Sequence, residues 1–190
     1  MKKICLLLSL YASFSFAQNM DELKKNAKQM YDASYNMAFE EVLDLTYPKL
    51  FEIVPRDKMA DMLAKTFENE TYKVRLVFIT PKFTFSEIKK IENKSLDVIT
   101  YTNAMRITFN QDLTPDKANE IVKAYKDTGA YTIVNFEKDR NSFYIEGKST
   151  LVGIADESTK QAWKFVNYDK RRADMMKKIV SENIMKELGL

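Results

Sequence analysis

The sequence predicts an α+β protein in which helices come first and an antiparallel sheet follows. Three observations carry that expectation. Apolar residues recur at three- and four-residue spacing from Met20 to about Leu45, which is the period of a helix face. The pattern then changes to alternation, with Tyr72, Val74 and Leu76 set against Lys73 and Arg75, the period of a strand. The 190 residues are 45% hydrophobic and 30% charged with only four Gly and four Pro, a globular composition that excludes collagen-like and largely disordered chains.

Residues 1–17 read as a secretory signal peptide. Lys2 and Lys3 form the positive start, Ile4 to Phe16 the apolar run, and Ser15-Phe16-Ala17 a small-residue cleavage site before Gln18. The run falls short of the ~20 residues that span a bilayer, so no stable membrane anchor is expected after cleavage. Without a twin-Arg pair the route is Sec, and the destination is the periplasm or the medium. Cys5, the only cysteine, lies inside this run, so neither a lipidated N-terminus nor a disulfide is expected.

The processed chain, 18–190, reads as a single domain. Its first helix is capped by Asn19 or Asp21 and carries Leu23, Ala27, Met30, Tyr31, Ala38, Val42 and Leu45 on one side. Pro48 opens a short second helix, which Pro55 ends. A third runs from Arg56 to about Glu68, with Met59, Met62, Leu63 and Phe67 on one face. Strands are predicted at Tyr72–Phe78, at Phe83 and Phe85, and at Met105–Phe109, with breaks at Pro81 and at Glu92-Asn93-Lys94-Ser95. An inserted helix over 114–128 has Thr114 as cap, Pro115 in its first turn and Gly129 at its end. Strands resume at Tyr131–Phe136, Phe143–Glu146, Ser149–Ala155 and Ala162–Tyr168. A C-terminal helical tail over 170–190 starts at Asp169 and breaks at Ser181-Glu182.

Composition removes many chemistries. The chain has no His, so Ser-His-Asp and Cys-His catalysis and His-based metal sites are out. No Gly-rich phosphate loop and no Asp-x-Asp-x-Asp calcium loop occurs, so neither a cofactor nor a metal is expected. Removing Lys2 and Lys3 from 30 Lys and Arg leaves 28 against 27 Asp and Glu. A processed chain near neutrality lacks the footprint of a nucleic-acid binder. Lys170-Arg171-Arg172 with Lys177-Lys178 is a local basic cluster; interleaved Asp169 and Asp174 make it read as a solvated face. Ten Met, spaced on amphipathic helices, read as core filling.

A long helix, two short helices and then a curved run of antiparallel strands resembles the NTF2-like superfamily, which includes ketosteroid-isomerase-like and SnoaL-like proteins. Leu45-Thr46-Tyr47-Pro48-Lys49-Leu50-Phe51 with Arg56-Asp57-Lys58-Met59, and Trp163-Lys164-Phe165-Val166, carry the likeness to exported bacterial members. The likeness covers most of residues 20–168; the helix at 114–128 and the tail are departures. It implies a cone-shaped, strongly curved sheet around the first helix, with a pocket between them. Members include isomerases, dehydratases, binding modules and association domains, so fold alone leaves function open.

In the isomerase-like branch an Asp base and a Tyr donor share an apolar pocket, which raises the carboxylate's pKa and lets the phenol stabilise an oxyanion. Two Asp/Tyr pairs are candidates. Asp44 and Tyr47 stand at the end of the first helix, where a cap and a packed ring are the competing roles. Asp97 and Tyr101 share one strand face with Ile99 if alternation holds. A hairpin residue and an ordinary strand aromatic are the alternatives there. Tyr47, Tyr101, Arg106, Trp163 and Phe165 are the candidate ligand-binding residues, the last two with core packing as the simpler role. The favoured expectation is a non-catalytic binding or association domain, for a small apolar molecule in the cone or a protein partner. An isomerase- or dehydratase-type enzyme and a homodimer formed through the sheet are the alternatives.

Overall fold

The computed structural model describes residues 20–77 and 80–190. The expected signal peptide and Cys5 lie outside the described residues, as do Asn19 and Phe78. The protein is α+β, with seven helices and one seven-stranded antiparallel sheet among the described residues.

The helix predicted from Met20 to about Leu45 is two helices. The first, α1, is helical from residue 20 to residue 35. It stops because Met37 turns left-handed at φ 56°, the Ala38 amide reaches back to the Ala33 carbonyl at 2.9 Å, and the Met37 amide to that of Ser34 at 3.2 Å. This paired closure is a Schellman stop. Glycine usually makes it, and its absence here hid the break. The chain restarts as α2, Phe39–Leu45. The two following helices, α3 (Leu50–Ile53) and α4 (Arg56–Phe67), fall where predicted.

Two strands form the spine of the sheet. β4 (Lys94–Phe109) has 16 residues and β6 (Ser142–Ala155) has 14. They pair from Ser95↔Ala155 to Thr108↔Ser142 without a register shift. The segments predicted as separate strands at 143–146 and 149–155 are thus one. Short strands flank the spine in two halves. At one end β2 (Thr84–Phe85) and β3 (Lys89–Ile91) pair with β4, and β7 (Lys164–Tyr168) with β6. At the other end β1 (Tyr72–Leu76) pairs with β4 and β5 (Tyr131–Glu137) with β6. The inserted helix α5 (Pro115–Asp127) is capped by Thr114, whose hydroxyl accepts from the Lys117 amide.

Alternation along the spine assigns each face. In the first half, Ile99, Leu151 and Phe165 pack with Trp163 against Leu23, Ala27 and Met30 of α1. The opposite face, with Leu96, Val152, Ile154 and Val166, packs on the tail helices α6 (Ala173–Lys177) and α7 (Glu182–Leu188). In the second half, Ile107, Phe143, Ile145 and Val134 pack under Ala118 of α5. Gly153 is needed where α1 crosses the sheet: a Cβ there would stand 3.1 Å from Leu23 Cδ1 and 3.4 Å from the Trp163 ring. The tail opens with a 3₁₀ turn, Lys170–Arg172, whose Arg171 amide bonds Asp169. Ser181 then caps α7 by accepting from the Ile184 amide at 3.2 Å, as predicted. Among the described residues no helix is long and apolar enough to cross a membrane.

Candidate functional site

The candidate residues do not converge on one site. Asp97 and Tyr101 do share a face of β4, with Ile99 between them, on the α1 side. Asp97 is completely buried. It faces Gly153 of β6, where Leu23, Trp163 and Phe165 converge. Its Oδ1 accepts from the Ser86 amide at 3.3 Å, and its Oδ2 has no partner among the described residues. Burial pushes the carboxyl up to about 6, against the pull of the Ser86 amide and hydroxyl. Tyr101 is packed edge-on to Tyr31 at 5.7 Å and tilted against Phe83 at 5.2 Å. Burial raises its phenol to about 12, with the Ser149 hydroxyl acting in the opposite sense. Trp163 and Phe165 are fully buried in the same core.

Arg106 lies on the other face of β4, in the other half of the sheet. It forks onto Glu137 of β5, Nε to Oε2 at 2.7 Å and an Nη2 bond to Oε1 at 3.0 Å. That fork holds the Glu137 carboxyl below its ordinary value. Asp44 and Tyr47 separate as well. Asp44 is exposed and shares Arg56 with Glu40, each at 2.8 Å. Tyr47 is fully buried and turns to a residue that sequence reasoning missed, Asp156.

The Asp156 carboxylate accepts hydrogen bonds from four different residues. Its Oδ2 accepts from the Tyr47 hydroxyl at 2.6 Å and from Lys94 Nζ at 3.0 Å. Its Oδ1 accepts from the Ser158 hydroxyl at 2.6 Å and the Thr159 amide at 3.2 Å. Burial acts to raise its pKa, but the bonds from Ser158, Tyr47 and Lys94 and the Lys94 charge outweigh it. The carboxyl therefore sits well below the usual range. Tyr47 is held well above its ordinary value by burial and by the Asp156 bond. Asp156 and Thr159 also form a reciprocal capping box around the turn Glu157–Thr159. The Asp-Glu-Ser-Thr order could have signalled that cap. Nothing local could have signalled Lys94, 62 residues away.

Beside this cluster lies an open cleft of about 450 Å³, lined by Lys90, Glu92, Asn93, Lys94, Ser95 and Gln161. The β3–β4 hairpin forms one wall and the Lys160-Gln161 turn the other. Glu92 belongs to the tail as well, accepting from the Ser181 hydroxyl at 2.8 Å and the Asn183 amide at 3.3 Å. No group of three or more acidic, His or Cys side chains among the described residues is placed to hold a metal.

Among the described residues, fold and site together define an α+β protein with one antiparallel sheet, a core packed between helices and sheet, and a polar cleft at a hairpin rim. No family model matches the chain, and no curated protein is similar to it in sequence.

Proposed function

We propose that this chain is an exported, non-catalytic binding domain of NTF2-like architecture whose ligand is taken at the rim of the sheet. The observation that carries the reading is the filled interior. Trp163, Phe165, Ile99 and Leu151, which would wall a pocket between α1 and the sheet, are each at most 2% exposed. An apolar ligand there would have to displace packed side chains, at several kcal/mol per large residue. The Lys2-Lys3 start, apolar run and Ser15-Phe16-Ala17 site support export. The order of helices before an antiparallel sheet supports the architecture. The open cleft offers polar groups without that cost.

One observation favours a second reading. A fully buried carboxyl with an unpartnered oxygen and a pKa near 6 has the character of a general base. An isomerase or dehydratase using Asp97 as base and Tyr101 as donor would require the β2 segment to open. Native mass spectrometry on protein recovered from the exported fraction separates the two. A molecule bound one-to-one and returned unchanged is expected. Conversion of that molecule by trace protein, abolished in Asp97→Asn, would overturn the non-catalytic reading.

A further inference from the structure

We infer that the cleft between the β3–β4 hairpin and the Lys160-Gln161 turn binds a small polar molecule carrying one carboxylate or phosphate group, with Lys94 and Gln161 as its main contacts. The inference rests on the binding reading above and gives it a place and a ligand class.

Asp156 assembles both walls of the cleft. Its carboxylate fixes Lys94 on the hairpin side. Its capping box builds the opposite turn, and its carbonyl accepts from the Gln161 amide at 2.8 Å. With only 4% of its surface exposed, and bonds from Tyr47, Ser158 and Thr159 besides Lys94, Asp156 has no capacity left for a ligand. Lys94 does have capacity. An ammonium has three donors, and Lys94 uses one, on Asp156, among the described residues. Its side chain is only 18% exposed, so solvent reaches it chiefly through the cleft it lines. An oxyanion is the partner that a half-desolvated ammonium rewards most.

The surroundings fit the same ligand. Ser95, Asn93 and Gln161 bring a hydroxyl and two amides, which can bond neutral hydroxyls of the same molecule. The cleft has no aromatic lining, which argues against an apolar guest. Glu92, its one acidic lining residue, is turned toward the tail by Ser181 and Asn183, which both bond its Oε1, and Lys90 and Lys94 outnumber it in the lining. The volume suits a molecule of monosaccharide size. Left-handed backbone shapes both walls. Of the six non-glycine residues with positive φ among the described residues, four border the cleft: Glu92 at 52°, Asn93 at 58°, Lys160 at 54° and Gln161 at 65°. The first two form the two-residue hairpin turn between Ile91 and Lys94, and the last two close the Asp156 capping turn.

The test is a titration of isotope-labelled protein, followed by NMR, with glucuronate, glucose 6-phosphate and, as the neutral control, glucose. Saturable shifts at the amides of residues 92–95 and 160–161 are expected with one or both acids, at a Kd of about 1 mM or tighter, with glucose about tenfold weaker. The acid that binds identifies the anionic group. Lys94→Gln should weaken binding by about tenfold or more. Because that change also loosens Asp156, Gln161→Gly is the companion. It removes the ligand amide but relieves a left-handed residue, so it should weaken binding while raising Tm. No saturable shift in the cleft, equal affinity for glucose, or unchanged affinity in both variants would overturn the inference. Shifts confined to residues 97–101 would overturn it too, yet leave a binding function standing.

Discussion

At the scale of single residues, the two buried aspartates pull stability in opposite directions. Asp97 has its pKa raised from 3.8 to about 6 in the folded state. The fold therefore binds its proton more tightly than the unfolded chain does. Its contribution is fully present below pH 3.8, fades through the interval to about 6, and is a standing penalty above it. Asp97→Asn keeps the shape and removes the charge. At pH 7 it should add about 3 kcal/mol, from ~2 pKa units at 1.36 kcal/mol each, and nothing near pH 4. Urea unfolding at pH 4, 5, 6 and 7 reads this; equal gains at all four would contradict the assigned cause. Asp156 has the opposite sign. Its depressed pKa gives stability above pH 3.8 that is lost as pH falls through the folded value. Asp156→Ala strands the Tyr47 hydroxyl and the Lys94 ammonium, and should cost about 3–5 kcal/mol in the same assay. Neither behaviour is legible from residue type. Asp97 reads as half of an Asp/Tyr pair or as a hairpin residue until pairing with Gly153 sets it under α1. Tyr47 reads as a pocket donor or a packed ring, and Lys94 as part of a turn, until the fold closes them on Asp156.

At the scale of elements, legibility followed chemistry written next to the element. Thr114-Pro115 before α5 and Ser181 before α7 name their caps in sequence, and both form. The Asn36-Met37 break lacks the glycine that would have marked it. Met37→Gly should accordingly stabilise the protein by about 0.5–1 kcal/mol, by removing left-handed strain from the α1 stop. Thermal unfolding that leaves Tm unchanged or lowered would remove strain at Met37 as the reason. The first half of β4 was hard to read for a different cause, a setting it shares with the last of β6. Both of their faces are covered, Ile99 and Leu151 by α1 and Leu96, Val152 and Ile154 by the tail. Alternation fades when no face meets water. Where β4 has helical cover on a single face, over Met105–Phe109, the alternation was plain.

At the scale of the whole molecule, the tail belongs to the fold. Met176, Ile179, Val180, Ile184 and Met185 are all at most 5% exposed and cover the second face of the sheet. Lys89 of β3 also bonds the Glu187 carbonyl of α7. A chain cut before Ser181 should expose Leu96, Val152 and Ile154, bind a hydrophobic dye, and lose its cooperative melt. A sharp transition near the intact Tm, without dye binding, would show that the tail is dispensable. The same cut frees the Glu92 carboxylate beside the cleft, so ligand affinity should fall along with stability.

The unbroken pairing of β4 with β6 has a kinetic consequence. Each strand serves both halves of the sheet, so neither half can open without disturbing the ladder of the other. Their inner amides should therefore exchange with deuterium only when the entire molecule comes apart, at one shared, slowest rate. Those of β2, held to β4 by two residue pairs, should exchange far sooner. Such a backbone also keeps strict count: one residue inserted into β4 would turn Asp97, Ile99 and Tyr101 to the tail side and send Leu96 under α1. Length within these two strands is thus a property the protein cannot vary, whatever happens in its loops.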